Sequence, residues 1–379
     1  MTGSIIKRGK GTYLLRLSLG RDEQTGKRLY RTATFHGTKK EAEQALRDMV
    51  NRYEAGGMVS ADRVSLNAYL QEWLKVAKKN SVGERTFHNY SAHIERYVAK
   101  TIGRLPLSKV SVADVQGLYG SMVDQGLGTP TIKLVHTILN QAFKQAVRWR
   151  KMNYNPAADT ERPREKRKKV IRAMTKPQAS AFLKAAEITD DSALFHVALI
   201  SGMRPGEYLG LTWDCVDWGE DRVRVEKSLV TTPGKARFLG PPKTPESRRS
   251  ISLPSNVMAQ LKDHLAQQQQ LRAVEGEQWH DLDLVFPNTV GNFRDLRNLS
   301  TRVFKRLLEV AKLPQEFRLY DLRHTCATLL LQADENVKVV SERLGHATVK
   351  LTLDTYSHVL PTMQKRASDK LGDMFFPDP

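Results

Sequence analysis

The chain has 379 residues, too long for one average domain and suited to two or three. Lys and Arg outnumber Asp and Glu by 60 to 41, and the net charge of +19 points to a polyanionic partner, nucleic acid before acidic membrane. Two cysteines, Cys215 and Cys326, exclude a disulfide framework or zinc spacing and fit a reducing cytosol, and neither a signal-peptide core nor an apolar run of membrane-spanning length occurs.

Taken in order, Tyr13 to Leu19 and Arg28 to Phe35 read as strands around the turn signals Asp22 to Gly26, and Ile5-Ile6 adds a third. Thr38 and Glu41 form a capping box that opens a helix with Ala42, Ala45, Leu46, Met49 and Val50 at helical spacing, ending near Gly56-Gly57. Residues 1–60 are thus a small sheet on one helix. The sheet carries Lys7, Arg8, Lys10, Arg16, Lys27, Arg28 and Arg31, and a basic sheet of this size fits the major groove of DNA.

Residues 64–158 show helical periodicity only. Ser65 leads into Leu66, Tyr69, Leu70 and Trp73; Ser81 to Val98 repeats Phe87, Tyr90, Ile94 and Tyr97; Val112 to Val123 and Thr131 to Trp149 complete four helices. The aromatic stripe reads as core. Residues 159–172 have no apolar periodicity and hold Arg164, Lys166, Arg167, Lys168 and Lys169, a basic strap between folded units.

In residues 173–379, Thr175 caps a helix to Ala186, and an apolar helix from Ala193 to Ile200 stops at Gly202. Pro205 starts the next helix, expected to run through Leu211 to Trp213, so Arg204 sits at a tight turn with Glu207 one helical turn on to orient it. Val223-Val225 and Ile251-Leu253 alternate as strands, and the turn-rich stretch between them puts Lys243 on a hairpin tip. Tyr320 to Thr325 opens a helix to Leu331, whose first turn places Arg323 where a phosphate can be held bidentately. Val337, Val340 and Leu344 make another helix stopped by Gly345, with His346 just beyond. From Thr348 to Tyr356 both a strand and a helix fit the pattern. A one-residue step turns a helical side chain by about 100°, so His324, beside Arg323, is expected to face away from the others.

Arg204 in Gly-Met-Arg-Pro-Gly-Glu, Lys243 on a hairpin, Arg323 in an Arg-His-Thr box, Leu344-Gly345-His346, and Tyr356 ten residues on resemble, in that order, the tyrosine recombinases, the lambda-integrase family of site-specific recombinases. The resemblance extends over essentially the whole chain. It implies a multidomain α+β protein: an arm-type DNA-binding domain (1–60), a helical core-binding bundle (64–158), a basic linker (159–172) and a mainly α catalytic domain with a small β-sheet (173–379). It further implies an integrase of a phage or conjugative transposon, cytoplasmic and acting as a homo-oligomer, a tetramer, on double-stranded core and arm sites through a Holliday junction. An excisionase and a host DNA-bending protein are the implied accessories; no cofactor and no metal are.

Residue by residue, the resemblance makes Tyr356 the nucleophile that forms a 3′-phosphotyrosyl bond. Arg204 and Arg323 become clamps on the non-bridging oxygens, His346 a further donor, Lys243 the acid for the leaving 5′-oxygen, and Glu207 a brace for Arg204. One position departs from the family. Its His-x-x-Arg begins here with Tyr320, a phenol whose pKa near 10 suits it poorly as a base at neutral pH, so the group that deprotonates Tyr356 stays open. Two other classes share parts of this pattern: a topoisomerase-like strand transferase with the same tyrosine chemistry, and a DNA-binding protein with a decayed core. The arm domain speaks against the first, and the retained polar groups against the second.

Overall fold

Backbone pairing in the first 36 residues follows from alternation. The computed structural model describes residues 3–21, 28–54, 64–162, 171–232, 234, 236–242, 247–356, 368–369 and 371–376. Strands β1 (Gly3–Gly9), β2 (Thr12–Arg21) and β3 (Arg28–His36) form an antiparallel sheet in the order β1-β2-β3, with Ile5 opposite Leu15 and Leu15 opposite Ala33. Leu15 and Leu17 point to one face and are buried with Ala42 of helix α1 (Lys39–Glu54). The expected capping box starts that helix: Thr38 N donates to the Glu41 carboxylate at 2.8 Å, and Glu41 N donates to Thr38 Oγ1 at 3.3 Å.

Four further helices follow: α2 (Leu66–Trp73), α3 (Glu84–His93), α4 (Val112–Asp124) and α5 (Thr129–Arg148), with α2 and α3 each running into a π turn. Helix α3 starts at Glu84 rather than at Ser81, and α5 at Thr129 rather than at Thr131. Ser65 and Ser111 cap α2 and α4 through their side chains, and Pro130 lies in the first turn of α5. The aromatic stripe is core: Tyr69 and Trp73 are buried, Tyr69 donates to the Ala142 carbonyl at 2.7 Å, and Trp73 stacks on Tyr90 with ring centroids 6.3 Å apart. Side chains of this size each stabilise by roughly 1.5–3 kcal/mol when taken out of water.

The chain divides into two units, residues 1–167 and 168–379, and the division falls inside the basic stretch. In the second unit come α6 (Lys176–Glu187), α7 (Ser192–Ser201) and α8 (Pro205–Tyr208); then β4 (Val216–Asp217), β5 (Arg222–Val225), β6 (Ser228–Val230), β7 (Phe238–Gly240) and β8 (Arg249–Ser252). Helices α9 (Ser255–Glu275), α10 (Leu296–Asn298), α11 (Phe304–Val310), α12 (Asp321–Gln332), α13 (Val337–Leu344) and α14 (Val349–Tyr356) complete it. Helix α7 is apolar on all sides because it is enclosed: Leu194, Phe195, Val197, Ala198 and Leu199 are all buried. The sheet order is β4-β5-β8, and β6-β7 form a separate hairpin that the sequence reading did not resolve. The fold class is the expected one, mainly helical with small antiparallel sheets.

Helix α8 is shorter than expected. It ends at Tyr208 rather than running to Trp213; just beyond, Gly210 lies against the backbone of β6, where a Cβ would come within 2.6 Å of Leu229 N. Beyond it Leu211 accepts from Val285 N at 2.8 Å, and Trp213–Cys215 forms a separate 3-10 turn. Both cysteines are free and buried. No helix among the described residues is long and apolar enough to cross a membrane.

Candidate active site

The site forms around α12, whose first turn is buried on nearly every side. Asp321, Leu322, Arg323, Thr325 and Cys326 are all buried, and Arg323 is 1% exposed. Such a guanidinium needs carbonyls or anions. Arg323 Nη1 donates to the Gly202 carbonyl at 2.8 Å, and Nη2 has no hydrogen-bond partner among the described residues. Gly202 allows this approach. It ends α7 with φ of 65°, and a Cβ there would sit 3.0 Å from Leu344 and 3.1 Å from Cys326 Sγ. Burial, and then the charge of Arg204, lower the Arg323 pKa to about 10, leaving it a cation at neutral pH.

Arg204 and Glu207 meet as the Pro205 turn predicts. The Glu207 carboxylate accepts from Arg204 N at 2.9 Å and from Nη1 at 2.7 Å, and Arg204 Nη2 donates to the Gly345 carbonyl at 3.2 Å. A residue that the sequence reading passed over completes this brace. Arg249, at the start of β8, donates to Glu207 at 2.9 Å, to the Arg343 carbonyl at 2.6 Å and to the Ser247 carbonyl at 2.9 Å. Burial alone would raise the Glu207 carboxyl, but Arg249 and then Arg204 hold it below its ordinary value. Glu207 is therefore a shared counter-ion for two arginines on different elements.

Gly345 ends α13 with φ of 64° and delivers His346. His346 Nδ1 shares a hydrogen bond with Thr352 Oγ1 at 2.8 Å. Burial first, then the Arg323, Arg204 and Arg249 cations, lower its pKa to about 4, so the ring is neutral at pH 7. The ambiguous stretch before Tyr356 is helical, with Thr352 and Tyr356 inward and Val349, Leu351 and Leu353 exposed. Tyr356 is 1% exposed, and burial raises its phenol well above the ordinary range.

One expectation is overturned. His324 faces the others: its Nδ1 lies 2.9 Å from the Tyr356 hydroxyl, and its ring lies edge-on between Tyr320 and Tyr356 at centroid distances of 5.2 and 5.7 Å. The turn of about 100° from Arg323 is real, but α14, folding back through α13, meets α12 on that side. Tyr320 itself is 39% exposed at the N-cap of α12.

Arg204, Glu207, Arg323, His346, Tyr320 and Tyr356 are thus brought together, and Arg249 and His324 join them. Lys243 lies outside the described residues. Among the described residues, Pro241 lines a cleft of about 880 Å³ together with Arg224, Lys227, Arg248 and Arg249. In the first unit, Lys7 and Arg8 are exposed on β1, Lys10 is exposed in the turn after it, and Arg28 is exposed on β3. The Arg16 guanidinium lies 3.5 Å over the Tyr30 ring, and Arg31 falls on β3. Lys27, Arg164, Lys166, Arg167, Lys168 and Lys169 lie outside the described residues. No cluster of three or more metal-ligating side chains occurs among the described residues.

A helical domain with small sheets gathers Arg204, Arg323, His346 and Tyr356 around α12. The chain belongs to the phage integrase family, whose model matches residues 172–363, and residues 65–123 match the N-terminal SAM-like domain of phage integrases. Members of this family, the tyrosine recombinases, are DNA strand-transferring enzymes. Among curated relatives, the chain is 29% identical to a XerC-like tyrosine recombinase of Caldanaerobacter subterraneus, over 98% of each chain. It is 25% identical to the ICEBs1 integrase of Bacillus subtilis, over 98% of this chain and 100% of that one. Among solved structures, the fold is similar to the Tn1549 transposon integrase in complex with transposon right-end DNA (TM-score 0.68, 18% identity, 80% of this chain and 100% of that one). A lambda integrase tetramer bound to a Holliday junction is also similar (TM-score 0.55, 18% identity, 91% and 95%).

Proposed function

We propose that this chain is the integrase of a mobile element, a site-specific recombinase that cuts and rejoins double-stranded DNA through Tyr356. The observation that carries the reading is the convergence on α12: Arg323 donates to the Gly202 carbonyl, Arg204 donates to the Gly345 carbonyl, and the Tyr356 hydroxyl, from α14, lies 2.9 Å from His324 Nδ1. Arg204 and Arg323 hold the two non-bridging oxygens of the scissile phosphate and offset the charge of the pentacoordinate transition state. The Nη2 of Arg323, without a hydrogen-bond partner among the described residues, is a donor open to an anion, as a phosphate clamp requires. His346, neutral and turned by Thr352, donates a further hydrogen bond. Glu207 and Arg249 keep Arg204 in place.

Tyr356 Oη attacks phosphorus, the bond to the 5′-oxygen breaks, and Lys243 protonates that oxygen. The phosphotyrosyl bond keeps the phosphodiester energy, so rejoining to a second strand needs no nucleotide. Because Tyr356 is buried, the surroundings of α14 must yield before a phosphate reaches its hydroxyl.

The basic sheet of residues 1–60 reads arm sites, the bundle of residues 64–158 and the basic stretch 159–172 hold the core site, and residues 173–379 carry the chemistry. The protein works in the cytoplasm as a tetramer, with an excisionase and a DNA-bending protein setting direction. Exposed Leu371, Met374, Phe375 and Phe376 after the nucleophile suit docking on a neighbouring copy.

The test is a denaturing gel of the protein incubated with DNA fragments flanking its own gene, wild type beside Tyr356→Phe. A protease-sensitive adduct made by wild type alone supports the reading. An adduct that persists in Tyr356→Phe, which still binds DNA in a native gel, would overturn it.

A further inference from the structure

A tyrosine that attacks phosphorus must lose its proton, and burial makes that loss harder for Tyr356. Its surroundings narrow the possible acceptors. Tyr356 is 1% exposed, so in this closed arrangement its acceptor is a protein group. Glu207 already accepts three hydrogen bonds from Arg204 and Arg249. Asp321 is fully buried and accepts from Arg318 N at 2.9 Å and from Arg318 Nη2 at 3.0 Å. His346 is committed to Thr352 and surrounded by three guanidiniums, which disfavour a second proton. Tyr320 is a phenol like the nucleophile itself. Among the described residues, His324 Nδ1 remains, 2.9 Å from the Tyr356 hydroxyl.

We propose that His324 is a catalytic residue of this site: its Nδ1 accepts the Tyr356 proton as the phenolic oxygen attacks phosphorus, and returns it when the tyrosine leaves. This rests on the reading of Tyr356 as nucleophile given above. In cleavage the Tyr356 Oη–P bond forms, the P–O5′ bond breaks, the phenolic proton moves to Nδ1, and the leaving oxygen takes a proton from Lys243. In rejoining each transfer reverses, so no co-reactant is consumed. The proposed step has the phenol as donor and Nδ1 as acceptor, which requires the ring proton of His324 on Nε2. Tyr320 holds the imidazole plane edge-on, with an interplanar angle of 68°, and so limits its rotation away from Tyr356. Tyr320 is then a positioning residue for its neighbour, which accounts for an aromatic residue at a position where an imidazole would have been expected.

The experiment uses the full chain and a DNA fragment on which wild type forms the adduct, followed in a single turnover. His324→Asn keeps a hydrogen-bond acceptor near the Nδ1 position but cannot take up a proton. It is expected to bind DNA normally and to form the adduct about 10²- to 10⁴-fold more slowly. Replacing Tyr356 by a fluorinated tyrosine, a stronger acid, should recover about tenfold or more of that loss in His324→Asn while changing the His324 protein little. A merely structural histidine would slow both tyrosines alike. Adduct formation in His324→Asn at the wild-type rate, or a slowing indifferent to tyrosine acidity, overturns the proposal. Should His324→Asn lose DNA binding, His324→Gln is compared in the same way with the same two outcomes. An adduct on Tyr356→Phe would instead overturn the assignment of the nucleophile, which separates the two failures.

Discussion

Glu207 joins two arginines that come from different parts of the chain, and its removal offers the sharpest test of how the site is held. The carboxylate is 3% exposed and accepts at 2.9 Å from Arg204 N, 2.7 Å from Arg204 Nη1 and 2.9 Å from Arg249 Nη2. Breaking a buried ion pair by removing one partner costs roughly 3–5 kcal/mol, because the other charge is left uncompensated. Arg249 keeps two carbonyl acceptors, Arg343 and Ser247, so the lower end applies and Glu207→Gln should cost about 3 kcal/mol. Arg249→Met should cost a similar amount, and the double variant clearly less than the sum, a coupling of at least about 1 kcal/mol. Native-state hydrogen exchange on the full chain reads this locally, in peptides covering residues 202–210 and 249–253. Each single variant should lower protection there by about 10²-fold, since 1.36 kcal/mol is a factor of ten. Strict additivity, or unchanged protection in either single variant, would refute the shared counter-ion.

Three further outcomes are expected. Gly345→Ala forces a side chain into the left-handed region and brings a Cβ within 2.9 Å of Arg249 Nη1, so about 2 kcal/mol should be lost, visible as faster exchange of the Gly345 and His346 amides. For His346 the folded pKa, about 4, lies below the ordinary 6.5, so the unfolded chain takes up the proton first as pH falls. The stability linked to neutral His346 is therefore complete above about pH 6.5 and is lost progressively towards pH 4. Urea midpoints should fall between pH 7 and pH 5 by the equivalent of about 1–2 kcal/mol more in wild type than in His346→Asn. Deleting residues 1–60 should leave core-site adducts intact and reduce integration in a two-site assay; equal integration would remove the arm role.

Sequence reading worked where a signal is local and stopped where a contact is long-range. Arg204 and Glu207 are three residues apart across a proline-started turn, so their pairing follows from helix geometry. The Gly202 and Gly345 stops follow from the loss of periodicity, and both glycines do adopt positive φ. Arg249 gave no such signal: its carboxylate partner is 42 residues away, and the two meet through tertiary packing alone. Strands β6 and β7 have three residues each, too short for alternation to show. His324 is the instructive case. The angular argument placed it correctly relative to Arg323, but a site has more than one wall. Arg323 looks back towards the end of α7, while His324 looks towards α14, and the proposed reaction needs both a clamp and a nucleophile. Adjacent residues about 100° apart on α12 can therefore serve the two partners of one bond-forming step, the first holding the electrophile and the second the tyrosine that attacks it.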